Sequence, residues 1–411
     1  SIPKTLQDAI KITRSLGMGH IWIDALCIIQ DDDAAWRSES ARMGHIYANA
    51  ELTIAATWGS DAQTGIHKNR SETPPPRRVL EIRPSLHDAG SSHDGIGLSP
   101  LCQRGWTLQE HILSRRIVHF TEQEAWFACR EQDANCECQY GRPVMPMFVR
   151  PANVGMIPVT RMWHTIVQNY SYRGLTNPSD KLSALAGTAQ MLHQKAEEQR
   201  LPLGRYLAGL WSKTFRKDLL WFVSRSSACE SRHAERYRAP SWSWASVDGH
   251  IEYHGHAGYR REPMSVRILD VQTTTVDPNH NFGQVASGYA RIAGRTLEAT
   301  VVRSHGTWLR SKTDKSRMVS HSSARSERRG EEIEFHSDSF FVEDLRPSPA
   351  ETVAGKDIPV TLVYIIDGFA LVLARDGEEG NAFRRIGCVE HVGMWFYADE
   401  SDAEEKELLI L

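Results

Sequence analysis

The sequence predicts an α/β N-terminal domain with a parallel sheet flanked by helices, then a helical segment and a β-rich C-terminal region. Three observations carry this reading. Up to Phe120, short apolar runs of buried-strand type alternate with stretches of helical period, the order that gives parallel sheets covered by helices. After Trp126 the helical period dominates. From Ala239 onward, tryptophans at period two and Asp-Gly pairs between apolar runs signal strands and hairpins.

Pro3–Leu16 reads as an amphipathic helix, with Leu6, Ile10, Thr13 and Leu16 on one stripe and Gly17 closing it. Gly19–Ile29 reads as a buried strand with Asp24 near its end. Asp31, Asp32 and Asp33 form an acidic loop ahead of a helix over Ala34–Ala48, where acids complement the helix dipole. That helix carries the stripe Trp36, Ser40, Met43, Tyr47 and Ala50. Glu39 lies inside its apolar arc, which favours a structural ion pair. Leu52–Ala56 is a second buried strand. Trp58–Leu98 is irregular, rich in Ser, Asp, Gly and Pro, and reads as a surface insertion.

Arg104–Phe120 reads as a loop, a helix over Thr107–Ser114 and a strand over Ile117–Phe120. Leu108, Ile112, Leu113 and Trp106 form its apolar arc, Thr107, His111 and Ser114 the wet face, and Glu110 the border. Helix chemistry alone makes Thr107 an N-cap and Glu110 its capping-box partner. Further on, Arg161–Asn169, Lys181–Arg200 (with Asp180 as cap) and Tyr206–Leu220 read as helices, and Ala239–Ala245 as a strand. Asp367-Gly368 and Asp376-Gly377 mark hairpins, and Ser311–Glu332 a disordered loop.

The bulk numbers exclude several function classes. The chain has 411 residues and a net charge of −3, so no global basic field draws it to nucleic acid or anionic membrane. No apolar run is long enough to span a bilayer. Seven cysteines without regular spacing suit a reducing compartment, so the expected location is cytoplasmic. There is no dinucleotide fingerprint, phosphate loop, nucleophile elbow or zincin motif. Cys129, Cys136 and Cys138, with His119 upstream, do not match zinc spacing, so no metal site is expected. Cys27 reads as a small core residue, and Cys102 lacks the cationic surroundings of a nucleophile.

Ile21–Asp32 (IWIDALCIIQDD), Trp36-x-x-Glu39, Ala41–Thr57 (ARMGHIYANAELTIAAT) and Arg104–Phe120 (RGWTLQEHILSRRIVHF), in that order, resemble the fungal heterokaryon incompatibility (HET) domain. Pro178–Leu182, Tyr206–Trp211 and Ala239–Gly249 are similar to segments of chains that carry it. The resemblance implies a HET domain over 1–122, a mainly helical extension over 123–238 and a β-rich region over 239–411. It also implies a role in non-self recognition and regulated cell death in filamentous fungi.

HET domains are in turn distantly similar to TIR domains, which have a flavodoxin-like sheet and in many cases cleave NAD with a glutamate four residues after a tryptophan. On that likeness Glu110 is the candidate catalytic carboxylate, and Asp24, Asp31, Arg104 and Trp106 are candidate substrate-binding residues. NAD is then the substrate, with no resident cofactor. The family's opening strand, Ser-Tyr-x-Trp-Gly, is not found ahead of the first helix, so the sheet is expected to hold an unfilled position or a substitute strand. The alternative function is a non-catalytic module that self-associates or binds an incompatibility partner protein.

Overall fold

The computed structural model describes residues 2–66, 99–122, 125–129, 133–134, 159–224, 232–253, 266–303, 307–311, 318–319, 335–337, 358–366, 369–377, 381–390 and 404–411. They divide into two compact units. The first holds Ser1–Met162, Arg173–Thr176 and Ser183–Lys195; the second holds Trp163–Tyr172, Asn177–Leu182 and Ala196–Leu411. Among the described residues, no helix is long and apolar enough to cross a membrane.

In the first unit, α1 spans Lys4–Ser15, with Pro3 at its N-cap and Gly17 at φ +71° just beyond its end. The expected stripe is rotated. Asp8, Ala9 and Thr13 are the buried positions, and Leu16 is half exposed. Burial pushes the Asp8 carboxyl up, but hydrogen bonds from Lys4 and the Ile66 N–H, with the Lys4 and Lys11 charges, hold it below its usual value. An acid can therefore occupy the inner face, because its partners come with it.

The strand expected over Gly19–Ile29 does not form. Asp24–Cys27 is a helical turn, α2, closed by the Leu26 and Cys27 N–H groups on the Ile23 carbonyl. A short apolar run does not distinguish strand from helix by itself. Here the Asp24 carboxylate accepts the Ala25 N–H and favours the turn. Leu26 and Ile29 are exposed, and Cys27 is exposed too, not a core residue. The next helix, α3 (Asp33–Asn49), starts where the acids predicted, with Asp32 accepting the Ala35 N–H. Ser40 and Met43 are buried on its inner face, and Glu39 pairs with Arg42 at 2.7 Å.

Strand β1 (Thr53–Ala55) comes next, then α4 (Trp106–Leu113) and β2 (Arg116–Phe120). β1 and β2 are parallel, Thr53 opposite Ile117 and Ala55 opposite His119, as a crossover through a helix requires. Beyond β2 the sheet is not parallel. β3 (Ala125–Cys129) runs antiparallel to it, and β4 (Asp133–Ala134) antiparallel to β3, giving the order β1-β2-β3-β4. Phe120 pairs with Ala125, and four intervening residues are too few for the crossover that parallel pairing needs. Parallel pairing is thus confined to one pair, and β1 lies at the sheet edge among the described residues.

Helices α5 (Val159–Ser171) and α6 (Ser183–Glu198) follow. A 3₁₀ turn over Pro178–Lys181 precedes α6, with Asp180 buried inside it and Asn177 capping it. Where α6 meets α3 in the first unit, a Cβ built on Gly187 would lie 2.9 Å from the Gly44 Cα, so a side chain at either position requires the helices to shift.

The second unit is β-rich. Its largest sheet runs through Arg267–Thr275, Val285–Arg303, Ile358–Ile366, Phe369–Arg375, Ala382–Glu390 and Glu404–Ile410, mostly antiparallel. Leu297, Val301, Leu362, Val372 and Ile386 form part of its core. Asp376 turns the chain there, with its N–H on the Ala382 carbonyl and Gly377 at φ +88°. Asp367-Gly368, most of 311–332 and most of 58–98 lie outside the described residues.

Two expectations fail in this unit. Tyr206–Leu220 is not one helix but two short strands, Tyr206–Leu207 and Leu210–Trp211, then a helical turn over Phe215–Asp218. Ala208 and Gly209 at φ 45° and 96° make the two-residue hairpin turn that a helical count passes over. Ala239–Ala245 is not a strand either. Trp242 and Trp244 are fully buried, but Ser243 accepts the Ala245 N–H and the chain winds into a 3₁₀ turn over Trp244–Ser246.

Candidate active site

Helix α4 is built differently from a capping box. Gly105 occupies the N-cap position, and no side chain caps the helix. Thr107 is buried inside the first turn, where its hydroxyl lies 2.7 Å from the Arg104 carbonyl and 2.9 Å from that of Leu101. It also accepts a hydrogen bond from Arg173 at 2.9 Å. The face expected to be wet is turned inward. Ser114 is buried against Thr53, 2.6 Å between hydroxyls, and His111 is half-buried. The polar groups of this face can be inside because each meets a partner. Gln109 is also buried and accepts the Gly187 N–H at 2.7 Å.

Freed from capping, Glu110 points into a cavity of about 880 Å³. That volume lies within the range of about 300–1,000 Å³ of small-molecule sites. The cavity is bounded by α1, residues 18–24, the end of α3, β1 and the inner face of α4. Its walls are largely apolar (Leu6, Ala9, Ile21, Ile23, Ile54, Ile117), and Asp24, Arg104, Thr107, Glu110 and His111 supply polar groups. Of the residues singled out in the sequence, Asp24, Arg104 and Glu110 therefore meet around one space. Asp31 is exposed and does not line it. Trp106 does not line it either and packs edge-on against Trp36, ring centroids 5.9 Å apart.

Burial raises the Glu110 carboxyl, and the Asp24 charge raises it further. A hydrogen bond from Tyr47 and the Arg104 and Arg173 charges act the other way, and the carboxyl comes to rest at about 7. Tyr47, in turn, is held well above the usual phenol range by burial and by Glu110 and Asp24. Behind Glu110, His111 and His119 stack with centroids 4.7 Å apart and ring nitrogens at 3.0 Å. Burial pushes both below the usual imidazole range, His119 to about 4.

Their partners settle the tautomers. The Thr107 carbonyl can only accept, so His111 donates to it through Nδ1 and accepts through Nε2. His119 then donates through Nε2, and its Nδ1 lies 3.1 Å from the Thr57 hydroxyl. This neutral chain ties α4 to the carboxyl ends of β1 and β2.

Tyr47, Arg173 and the histidine pair were not among the residues singled out as functional in the sequence. Tyr47 stood on the predicted α3 stripe, the one signal that it faces inward. Arg173 had none. Among the described residues there is no cluster of three metal-ligating side chains. Cys129 is half-buried, and Cys136 and Cys138 lie outside the described residues. Cys102 is buried, and burial pushes its thiol up.

Comparison with known proteins gives a single assignment. No curated protein and no solved structure matches the chain. Residues 1–110 match the family model described as Heterokaryon incompatibility protein (HET), a segment that contains the cavity walls from α1 to Glu110. Residues 1–110 of this chain are thus similar to the heterokaryon incompatibility (HET) domain.

Proposed function

We propose that this chain acts in heterokaryon incompatibility and cell-death signalling by cleaving the bond between ribose and nicotinamide in NAD, with Glu110 as the catalytic carboxylate. The observation that carries the proposal is Glu110 itself, a carboxyl near pH 7 facing a largely apolar cavity beside Asp24 and Arg104. Breaking the C1′–N1 bond sends its electron pair to the pyridinium, so nicotinamide leaves neutral and needs no proton. The ribosyl fragment becomes oxocarbenium-like, and water then adds to C1′ and loses a proton. A carboxylate at a desolvated site stabilises that cation strongly, as in glycoside hydrolysis. Arg104 suits the pyrophosphate and Asp24 a ribose hydroxyl.

The test is nicotinamide release by the full chain. Release is expected to rise with pH through about 7, as Glu110 ionises, and to fall at least about 100-fold in Glu110→Gln. Release that persists in a folded Glu110→Gln protein overturns the assignment. No release from the wild-type chain favours a module that self-associates or binds an incompatibility partner.

A further inference from the structure

A carboxylate that works from a helix face must be held there, and α4 does not hold Glu110 by capping. Its support comes from elsewhere in the chain. The loop ahead of α4 is bridged to Gly174 by two main-chain hydrogen bonds, Gly105 N–H to the Gly174 carbonyl and Gly174 N–H to the Gln103 carbonyl, both 2.7 Å. This bridge brings Arg173 to the first turn of α4, where its guanidinium donates to the Thr107 hydroxyl at 2.9 Å. Thr107 stands one helical turn before Glu110 on the same side.

We infer that Arg173 is a positioning residue for Glu110, clamped to the first turn of α4 through Thr107 and the Gly174 bridge so that its cation faces the carboxylate from behind the cavity wall. Arg173 is half-buried and does not line the cavity, so it serves the carboxylate and not a ligand directly. A neutral donor would have been enough to satisfy Thr107. A cation taken partly out of water is retained at a cost unless acidic groups answer it; the Cys102 thiol and Glu110 are the two that bear on Arg173, and burial holds that thiol up. Burial and four groups bear on the carboxyl here: desolvation by the wall and Asp24 act against ionisation, and Tyr47, Arg104 and Arg173 for it. Arg104 is exposed and lines the cavity, where a ligand can reach it, whereas Arg173 does not line it. Arg173 lies beyond the segment that matches the family model, which ends at residue 110.

The inference deepens the proposed glycohydrolase reading but is tested without substrate. In the full chain labelled with ¹³C at glutamate Cδ, the signal absent from Glu110→Gln assigns Glu110, and its titration is followed. The midpoint is expected to move up from about 7 to about 8 or above in Arg173→Gln, the loss of one nearby opposite charge. Arg173→Lys should hold it near the wild-type value. Thr107→Val, which removes the anchor and keeps the charge, should raise it too and serves if Arg173→Gln does not fold. An unchanged midpoint in the folded variants, or a shift in Arg173→Lys equal to that in Arg173→Gln, overturns the inference. If the midpoint shifts as expected while the wild-type chain releases no nicotinamide, the positioning role stands and the glycohydrolase reading fails.

Discussion

Glu110 carries a cost that can be measured. Its carboxyl, ordinarily at 4.5, rests at about 7 in the folded protein. A folded-state value above the unfolded one means that the unfolded chain gives up its proton first. Stability from this group is therefore full below about pH 4.5 and is lost as pH rises through about 7. Glu110→Gln should accordingly raise the melting temperature at pH 8, by the equivalent of on the order of 2 kcal/mol. At pH 4.5 the two proteins should melt together, and a variant less stable than wild type at pH 8 would contradict the buried-carboxyl account. The histidines lean the other way. His119, lowered to about 4, and His111, lowered well below its usual value, contribute stability at neutral pH that is lost as pH falls below about 6.5. At this scale the sequence was informative about Glu110, which it placed on the edge of an apolar arc. It was silent about the size of the shift, because desolvation and the Asp24 and Arg charges act through space.

Among the elements, α3 and α4 were the most legible. Their stripes recur at helical spacing, and Met43, Leu108, Ile112 and Leu113 are buried as that spacing requires. The failures share one cause. Gly19–Ile29, Tyr206–Leu220 and Ala239–Ala245 are short apolar or aromatic runs in which period is ambiguous, and Asp24, Gly209 and the serines at 241–246 then decide the backbone locally. Glycines at the α3–α6 crossing make a sharper prediction than any stripe. A methyl at residue 187 would meet the Gly44 Cα at 2.9 Å, Leu113 Cδ1 at 3.1 Å and Gln109 Oε1 at 2.9 Å. Alanine has the better helix propensity, by about 1 kcal/mol, yet overpacking of about 1–3 kcal/mol should win. Gly187→Ala is therefore expected to lower the denaturant midpoint at unchanged m-value. A midpoint at or above that of wild type would show that the two helices can separate freely.

For the molecule as a whole, the matched segment and the structural unit are not the same length. The family match ends at residue 110, whereas the first unit continues through β2–β4 and takes in 173–176 and 183–195. Gln109 bonded to Gly187, and the Gln103–Gly105 bridge to Gly174, tie these later residues to α4. We propose that a fragment of residues 1–122 lacks the support its site needs. Such a fragment is expected to bind a hydrophobic dye and to be cut by protease near 99–115 at concentrations that leave the full chain intact. A fragment as protected as the full chain would place all the stabilising contacts within 1–122.

The sequence by itself determined which stretches repeat at helical or strand period, where the parallel crossover from β1 to β2 runs, and which blocks resemble the HET domain. These are properties of residues a few positions apart, where spacing alone dictates which side chains share a face. Only the tertiary structure decided that Thr107 is no cap, that Asp24 ends no strand, and that Tyr47 and Arg173 surround Glu110. Each of those outcomes rests on burial and charge shared between residues distant in the chain, and the energy of a buried carboxylate depends on the neighbours it meets in space.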